Sequence, residues 1–96
     1  MRDLEKKIVD CGTDVLNSHA DRLAACGVSW RGPTIEVWNA EPEGYTSEVR
    51  ITLLKGGEIS DILEFQIYRD GQPLVTIEEV VGWIASQLEQ LEGERK

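Results

Sequence analysis

The side chains best suited to chemistry in this sequence are a single histidine, two cysteines and two close pairs of glutamates. His19, the one candidate general base, lies near the apolar side of the first predicted helix. Its polar neighbours Asp14, Asn17 and Asp21 are not spaced to place two of them beside His19 on one helical face, as a metal site requires. The spacing therefore favours a partly buried structural histidine over a base or a metal ligand.

The two cysteines, Cys11 and Cys26, lack the C-x-x-C spacing of zinc and thioredoxin-type sites. A nucleophilic thiol would need an activating base, and only His19 could serve. On one continuous helix the two cysteines lie about 22 Å apart, well beyond the roughly 7 Å that a disulfide spans between Cα atoms. This argument weakens if the helix restarts near Thr13. Both thiols are predicted to be reduced packing residues, which favours a cytoplasmic location.

The paired glutamates also have a structural interpretation. Glu41 and Glu43 lie in a predicted loop, and Glu78 and Glu79 lie in the first turn of a predicted helix, where acids complement the helix dipole. Neither pair suggests a carboxylate in an apolar pocket, which a hydrolase would need. Gly56-Gly57 lacks the lysine and helix that follow a phosphate-binding loop. We therefore expect no catalytic residue, metal or cofactor, and a role other than an enzyme is favoured.

Length and charge limit the function further. The chain has 96 residues, which fits a single domain over 1–96, with 93–96 predicted to be a frayed tail. Its 18 acidic and 10 basic residues give a formal net charge of −8. This balance argues against nucleic acid and anionic membrane as partners and favours encounter with basic proteins. No segment approaches the roughly 18 apolar residues of a membrane span, and no secretory signal is visible.

Hydrophobic periodicity predicts the elements that position these side chains. Three- and four-residue steps predict a helix over 3–26, either continuous or restarted near Thr13. Alternation predicts strands over 34–38, 48–54 and 62–68, and Asp70-Gly71 predicts a hairpin turn into a short edge strand over 72–75. A capping box at Thr76–Glu79 begins the last helix. The expected fold is α+β: an N-terminal helix, a three- to four-stranded antiparallel meander and a C-terminal helix, with the helices covering one sheet face.

The order helix, three strands, helix resembles that of double-stranded-RNA-binding domains, in topology only. Those domains have a basic start to the last helix, where this sequence has Glu78 and Glu79. An RNA-binding role is therefore not expected.

The register of the central hairpin follows from its apolar residues. A three-residue loop over 56–58 pairs Ile51 with Leu63 and Val49 with Phe65, which gathers the apolar side chains on one face. Gly56 and Gly57 would otherwise form a two-residue turn, which mixes apolar and charged side chains on both faces.

The opposite, outward face then holds a charged ladder. Arg50 is placed opposite Glu64, and if Val37 lies beside Val49, Glu36 reaches the other side of Arg50. A solvated face with incidental pairing is the favoured interpretation of this ladder.

The same outward face also carries aromatic and aliphatic side chains, which makes it a candidate interface unless the first helix folds over part of it. The candidate residues are Trp38, Arg50, Thr52, Leu54, Ile62, Glu64 and Tyr68. Weaker candidates are Trp30, Trp83 and His19, of which Trp83 is predicted to pack at the rim of the core and Trp30 to cover one end of it.

Three functions remain open from the sequence. The first is a non-enzymatic, acidic protein-binding module, such as an adaptor, a chaperone or an inhibitor or immunity-type protein, which uses the exposed sheet face. The second is a small-ligand-binding protein or enzyme with a pocket between sheet and helices near Trp30 and His19. The third is a structural homodimer.

Overall fold

The computed structural model describes residues 1–93, in which three helices accompany one four-stranded antiparallel sheet. The strand order is β1-β2-β3-β4, and the sheet curls into a half-barrel. The elements in chain order are α1 (Asp3–Ser18), α2 (Ala20–Ala25), β1 (Val28–Asn39), β2 (Thr46–Lys55), β3 (Glu58–Arg69), β4 (Gln72–Pro73) and α3 (Ile77–Gly93). The predicted α+β order, with a meander between helices, is confirmed. Of the predicted tail 93–96, Gly93 ends α3, and residues 94–96 lie outside the described residues.

The predicted N-terminal helix is divided in two, and the break lies at His19 rather than at Thr13. The His19 backbone (φ −99°, ψ 0°) leaves the helical range, and its N–H donates to the carbonyls of Val15 and Leu16 to end α1. Gly12, which suggested an earlier break, is buried inside α1. A Cβ atom there would lie 3.2 Å from Pro33 Cγ, so this glycine lets β1 approach the helix closely.

Strand β1 is longer than the predicted strand 34–38 because Gly32-Pro33 lies within it. Glycine followed by proline usually marks a turn, but the strand continues through this pair. The chain instead forms a bulge between Arg31 and Thr34, where the register with β2 shifts. Gly32 adopts a φ of 98°, and a Cβ atom there would lie 2.8 Å from the carbonyl oxygen of Arg50. Only glycine accommodates both conditions without strain.

The predicted register of the central hairpin is confirmed, but the turn that produces it is different. Ile51 pairs with Leu63 and Val49 with Phe65. The turn itself contains only Gly56-Gly57, since β2 ends at Lys55 and β3 begins with Glu58. A bulge between Ile59 and Asp61 supplies the remaining one-residue shift. A two-residue turn and a bulge thus give the pairing that a three-residue loop would give.

The helices cover one face of the sheet, as predicted. The capping box that begins α3 is present, because Glu79 N–H donates to Thr76 Oγ1 (3.2 Å) and Thr76 N–H donates to Glu79 Oε1 (3.1 Å). The side chains that fill the space between helices and sheet have no accessible surface or almost none; they include Ile8, Leu16, Leu23, Val49, Ile51, Leu53, Ile67, Val80, Ile84 and Leu88.

Candidate functional site

The outward face of the sheet is centred on Arg50, which contacts three carboxylates. Its Nη2 lies 3.1 Å from Glu48 Oε1, its Nε 3.5 Å from Glu64 Oε1 and its Nη1 3.7 Å from Glu36 Oε1. The predicted ion pairs with Glu36 and Glu64 are therefore present, and Glu48 joins them. Since one guanidinium faces three carboxylates, the centre of this face keeps an excess of negative charge.

One step in the prediction of this ladder is wrong. Val37 pairs with Ser47, and Ile35 occupies the place beside Val49. Ile35 is half-buried against the core, which favours this register because its side chain, rather than that of Val37, fills the central position. The shift is two residues, so Glu36 stays on the outward face and reaches Arg50 diagonally.

Trp38 is the exposed aromatic residue of this face. It is the extra residue at a register shift between Val37 and Asn39, and 68% of its surface is accessible. Ile62 lies on the same face and is 43% exposed, and Thr52, paired with Ile62, is half-buried. Ile59, which the sequence did not single out, is 61% exposed nearby on β3.

Two residues predicted for the exposed face are buried instead. Tyr68 is 9% exposed because a bulge at Ile67 shifts the register with β2 and brings Tyr68 opposite the buried Ser47. There its ring packs edge-on against Tyr45, with 5.4 Å between ring centroids. Leu54 is 8% exposed, although it is not part of the core cluster. Neither side chain is available as a contact residue.

The other two tryptophans pack against the core. Trp83 makes an edge-to-face contact with Phe65, with 5.1 Å between ring centroids, which confirms its predicted place at the core rim. Trp30 is half-buried against the core cluster. Trp38 is therefore the one exposed aromatic side chain within residues 1–93.

His19 is buried more completely than the partly buried histidine that the sequence predicts, and it holds the corner between α1 and α2 against the end of α3. Its Nδ1 lies 2.6 Å from Glu92 Oε1, and Arg22 Nε lies 3.3 Å from Glu92 Oε2. The hydrogen bond with His19 is the main cause that lowers the pKa of Glu92, against the opposing effect of burial. The sequence offered no signal for this pairing, because Glu92 lies 73 residues away in the chain.

A depression of about 330 Å³ adjoins this cluster. The residues of the described chain that line it are Asp21, Arg22, Ala25, Cys26 and Glu92. Trp30 and His19, around which the sequence placed a ligand pocket, are not among them. Since Arg22 and Glu92 already pair with each other, the depression offers a ligand few free polar groups.

A second polar cluster lies inside the protein, and sequence reasoning missed it. Glu5 has no accessible surface, yet its carboxylate accepts hydrogen bonds from Tyr45 Oη (2.8 Å to each oxygen), from Ser47 Oγ and from the N–H of Arg2 (2.8 Å). The Arg2 guanidinium lies 3.8 Å from the centroid of the Tyr45 ring. Burial is the main cause that raises the pKa of Tyr45, and the hydrogen bond with Glu5 is the second. The two hydroxyl groups and the backbone N–H all donate to Glu5, so the cluster fastens α1 to β2.

Neither a metal centre nor a membrane-crossing helix is found in the part of the chain that the structure describes. No three histidine, cysteine, aspartate or glutamate side chains within residues 1–93 are grouped as metal ligands. None of the helices in that range combines the length and apolar character needed to cross a bilayer. Both cysteines are free and half-buried.

Comparison with protein-family models, with curated proteins and with solved structures finds no match to this chain. Its function must therefore be argued from its own surface.

Proposed function

We propose that this chain is a non-enzymatic protein-binding module that contacts a basic protein through the outward face of its sheet, with Trp38 as the anchor. The observation that carries the proposal is the exposure of Trp38, at 68% of its surface, while every other aromatic side chain within residues 1–93 is buried or half-buried. Exposed aromatic residues are the side chains that contribute most to binding when a partner covers them.

The charges around Trp38 support a basic partner. Glu36 lies two residues before it, and the loop that follows β1 carries the exposed residues Glu41 and Glu43. The Arg50 cluster adds carboxylates in excess of cations, and the whole chain has a formal net charge of −8. A lysine or arginine of a partner could contact the indole face and these carboxylates together, which combines cation–π and ionic attraction.

Trp38→Ala is expected to weaken binding of a basic partner by about 2 kcal/mol, or roughly thirtyfold in Kd, because it removes a solvent-exposed anchor without touching the core. The immobilised wild-type chain and the variant are compared for capture from a lysate of the source cell, and the Kd of the recovered protein is then measured for each. Leu74→Ala, which truncates another exposed apolar residue (45% accessible), is the matched control.

The proposal requires that the wild type and Leu74→Ala capture the same protein and that Trp38→Ala captures much less of it. Equal binding of that protein by Trp38→Ala would contradict it. So would the absence of any protein that the wild type enriches over an unrelated acidic domain.

A further inference from the structure

Most of strand β3 has no neighbouring strand on its outer side. Strand β4 pairs only with the last residues of β3, through Tyr68–Pro73 and Arg69–Gln72, and Leu74 N–H adds one bond to the Ile67 carbonyl. From Asp61 to Gln66 the pairing with β2 is regular, without a bulge. We call the outer side of residues 61–66 the β3 edge. Within residues 1–93, no strand covers it.

The opposite edge of the sheet is protected, and this contrast makes the β3 edge distinctive. Strand β1 is contacted by α1 and α2, and its register is broken at two bulges, one of which contains Pro33, which has no N–H to donate. The β3 edge contains no proline, glycine, lysine or arginine. It therefore lacks the basic and proline residues with which proteins usually prevent strand addition.

The side chains along the β3 edge define what could pair with it. Ile62 and Glu64 lie on the outward face, each 43% exposed, and Asp61 is also exposed and accepts a hydrogen bond from the N–H of Ile62 (2.8 Å). Glu58, just before the bulge, adds a third acid. Because successive side chains of a strand point to opposite faces, a strand laid beside this edge would meet Ile62 and Glu64 on the outward face and Asp61 beside Leu63 on the other.

A second copy of this chain is a poor occupant of the edge. Antiparallel pairing of β3 with itself would place Asp61 and Glu64 of both copies along one short edge. Like charges across adjacent strands are destabilising, and two chains of net charge −8 repel each other before contact. A segment that carries both basic and apolar residues places its basic side chains near Asp61 and Glu64 and its apolar side chains near Ile62.

We propose that the β3 edge binds an extended, basic segment of the partner protein, which adds to the sheet as a fifth strand beside β3. This inference rests on the proposed function, because it specifies how the same basic partner is held. Main-chain hydrogen bonds to the edge supply affinity, and Asp61 and Glu64 select lysine or arginine over acidic side chains.

The probe is a synthetic peptide in which two valines separate successive lysines, long enough to span residues 58–66. This spacing matches Asp61 and Glu64, which are three residues apart with two apolar residues between them. Titrated into the full ¹⁵N-labelled chain, the peptide is expected to slow amide hydrogen exchange at 61–66 while exchange in α3 is unchanged. The same peptide with glutamate in place of lysine, or with N-methyl groups on alternate residues, is not expected to do so.

Asp61→Lys is expected to weaken binding of the lysine peptide about fivefold, because it turns an attraction into a repulsion at an exposed pair. Asp10→Lys, an equal charge change at an exposed position of α1, leaves binding within about twofold.

Three results would overturn the β3-edge inference. The first is equal binding of the lysine and glutamate peptides. The second is slowed amide exchange around Trp38 without any change at 61–66. The third is amide exchange at 61–66 that slows as the protein concentration rises when no peptide is present. The last would assign the edge to a second copy. If the peptide fails while Trp38→Ala still loses the captured partner, the protein-binding function stands and only the strand-addition mode is lost.

Discussion

Replacing Glu5 by alanine is expected to lower the free energy of unfolding by about 3 kcal/mol, a large share of the stability of so small a domain. The Glu5 carboxylate is fully buried and accepts hydrogen bonds from Tyr45, Ser47 and the backbone of Arg2. Its removal leaves these donors buried without an acceptor and opens a space between α1 and β2. Urea unfolding followed by far-UV circular dichroism gives the change.

The matched control is Asp3→Ala, which removes an exposed acid from the same helical turn and is expected to cost less than about 0.5 kcal/mol. A cycle with Tyr45→Phe tests the mechanism. Loss of the Tyr45 hydroxyl should matter less once Glu5 is gone, because its acceptor is already absent. If Glu5→Ala costs no more than Asp3→Ala, the buried cluster does not hold α1 to the sheet.

Gly32→Ala is expected to destabilise the protein by about 3 kcal/mol for two separate reasons. The φ of 98° is a conformation that side chains with a Cβ rarely adopt, and the new Cβ would lie 2.8 Å from the carbonyl oxygen of Arg50. Because this contact is with backbone, neither atom can move without disturbing the β1–β2 ladder. Thermal or urea unfolding measures the loss.

Two further glycines separate these causes. Gly56 has a positive φ of 61°, but a Cβ atom added there would meet nothing within 4 Å, so Gly56→Ala reports the conformational cost alone, about 1 kcal/mol. Gly82 lies in α3 with open space around it, and Gly82→Ala is expected to raise stability by about 0.5–1 kcal/mol. The account of the β1 bulge is wrong if Gly32→Ala costs no more than Gly56→Ala.

Periodicity was enough to predict the order of helices and strands and the central pairing of the sheet. The alternation on β2 favours apolar partners for Val49 and Ile51 on one face, and pairing with Phe65 and Leu63 supplies them. The capping box at Thr76 is similarly local, since its two hydrogen bonds join residues three apart. These features depend on contacts between residues close in the chain and on which side chains of a strand point to the same face. Both can be recognised in a single sequence.

The parts that could not be predicted depend on bulges and on contacts between distant residues. A bulge changes the sheet face to which a side chain points, but it leaves no mark in the composition of the strand. Tyr68 is therefore predicted on the outward face, whereas the bulge before it turns its side chain into the protein. Glu5 and Glu92 were missed because their partners, Tyr45 and His19, lie on other elements far along the chain. A buried carboxylate cannot be told from a solvated one by its position on a helix alone.

The candidate surface that remains is more charged and less aromatic than the sequence suggested. Tyr68 and Leu54 leave it, and Glu48 and Ile59 join it, so that one exposed tryptophan and an acidic cluster replace the predicted face with two aromatic side chains. This change favours a partner held by charge and one anchor over one held by a large apolar area.

Hydroxyl-radical footprinting of the free chain tests most directly whether one sheet face is covered by helices and the other is open. The account predicts that Trp38 and Ile62 are oxidised rapidly, that Trp30 and Trp83 react more slowly, and that Ile51 and Tyr68 are protected, in line with their exposure. Slow oxidation of Trp38 together with rapid oxidation of Ile51 or Tyr68 would mean that the wrong face has been assigned to the solvent.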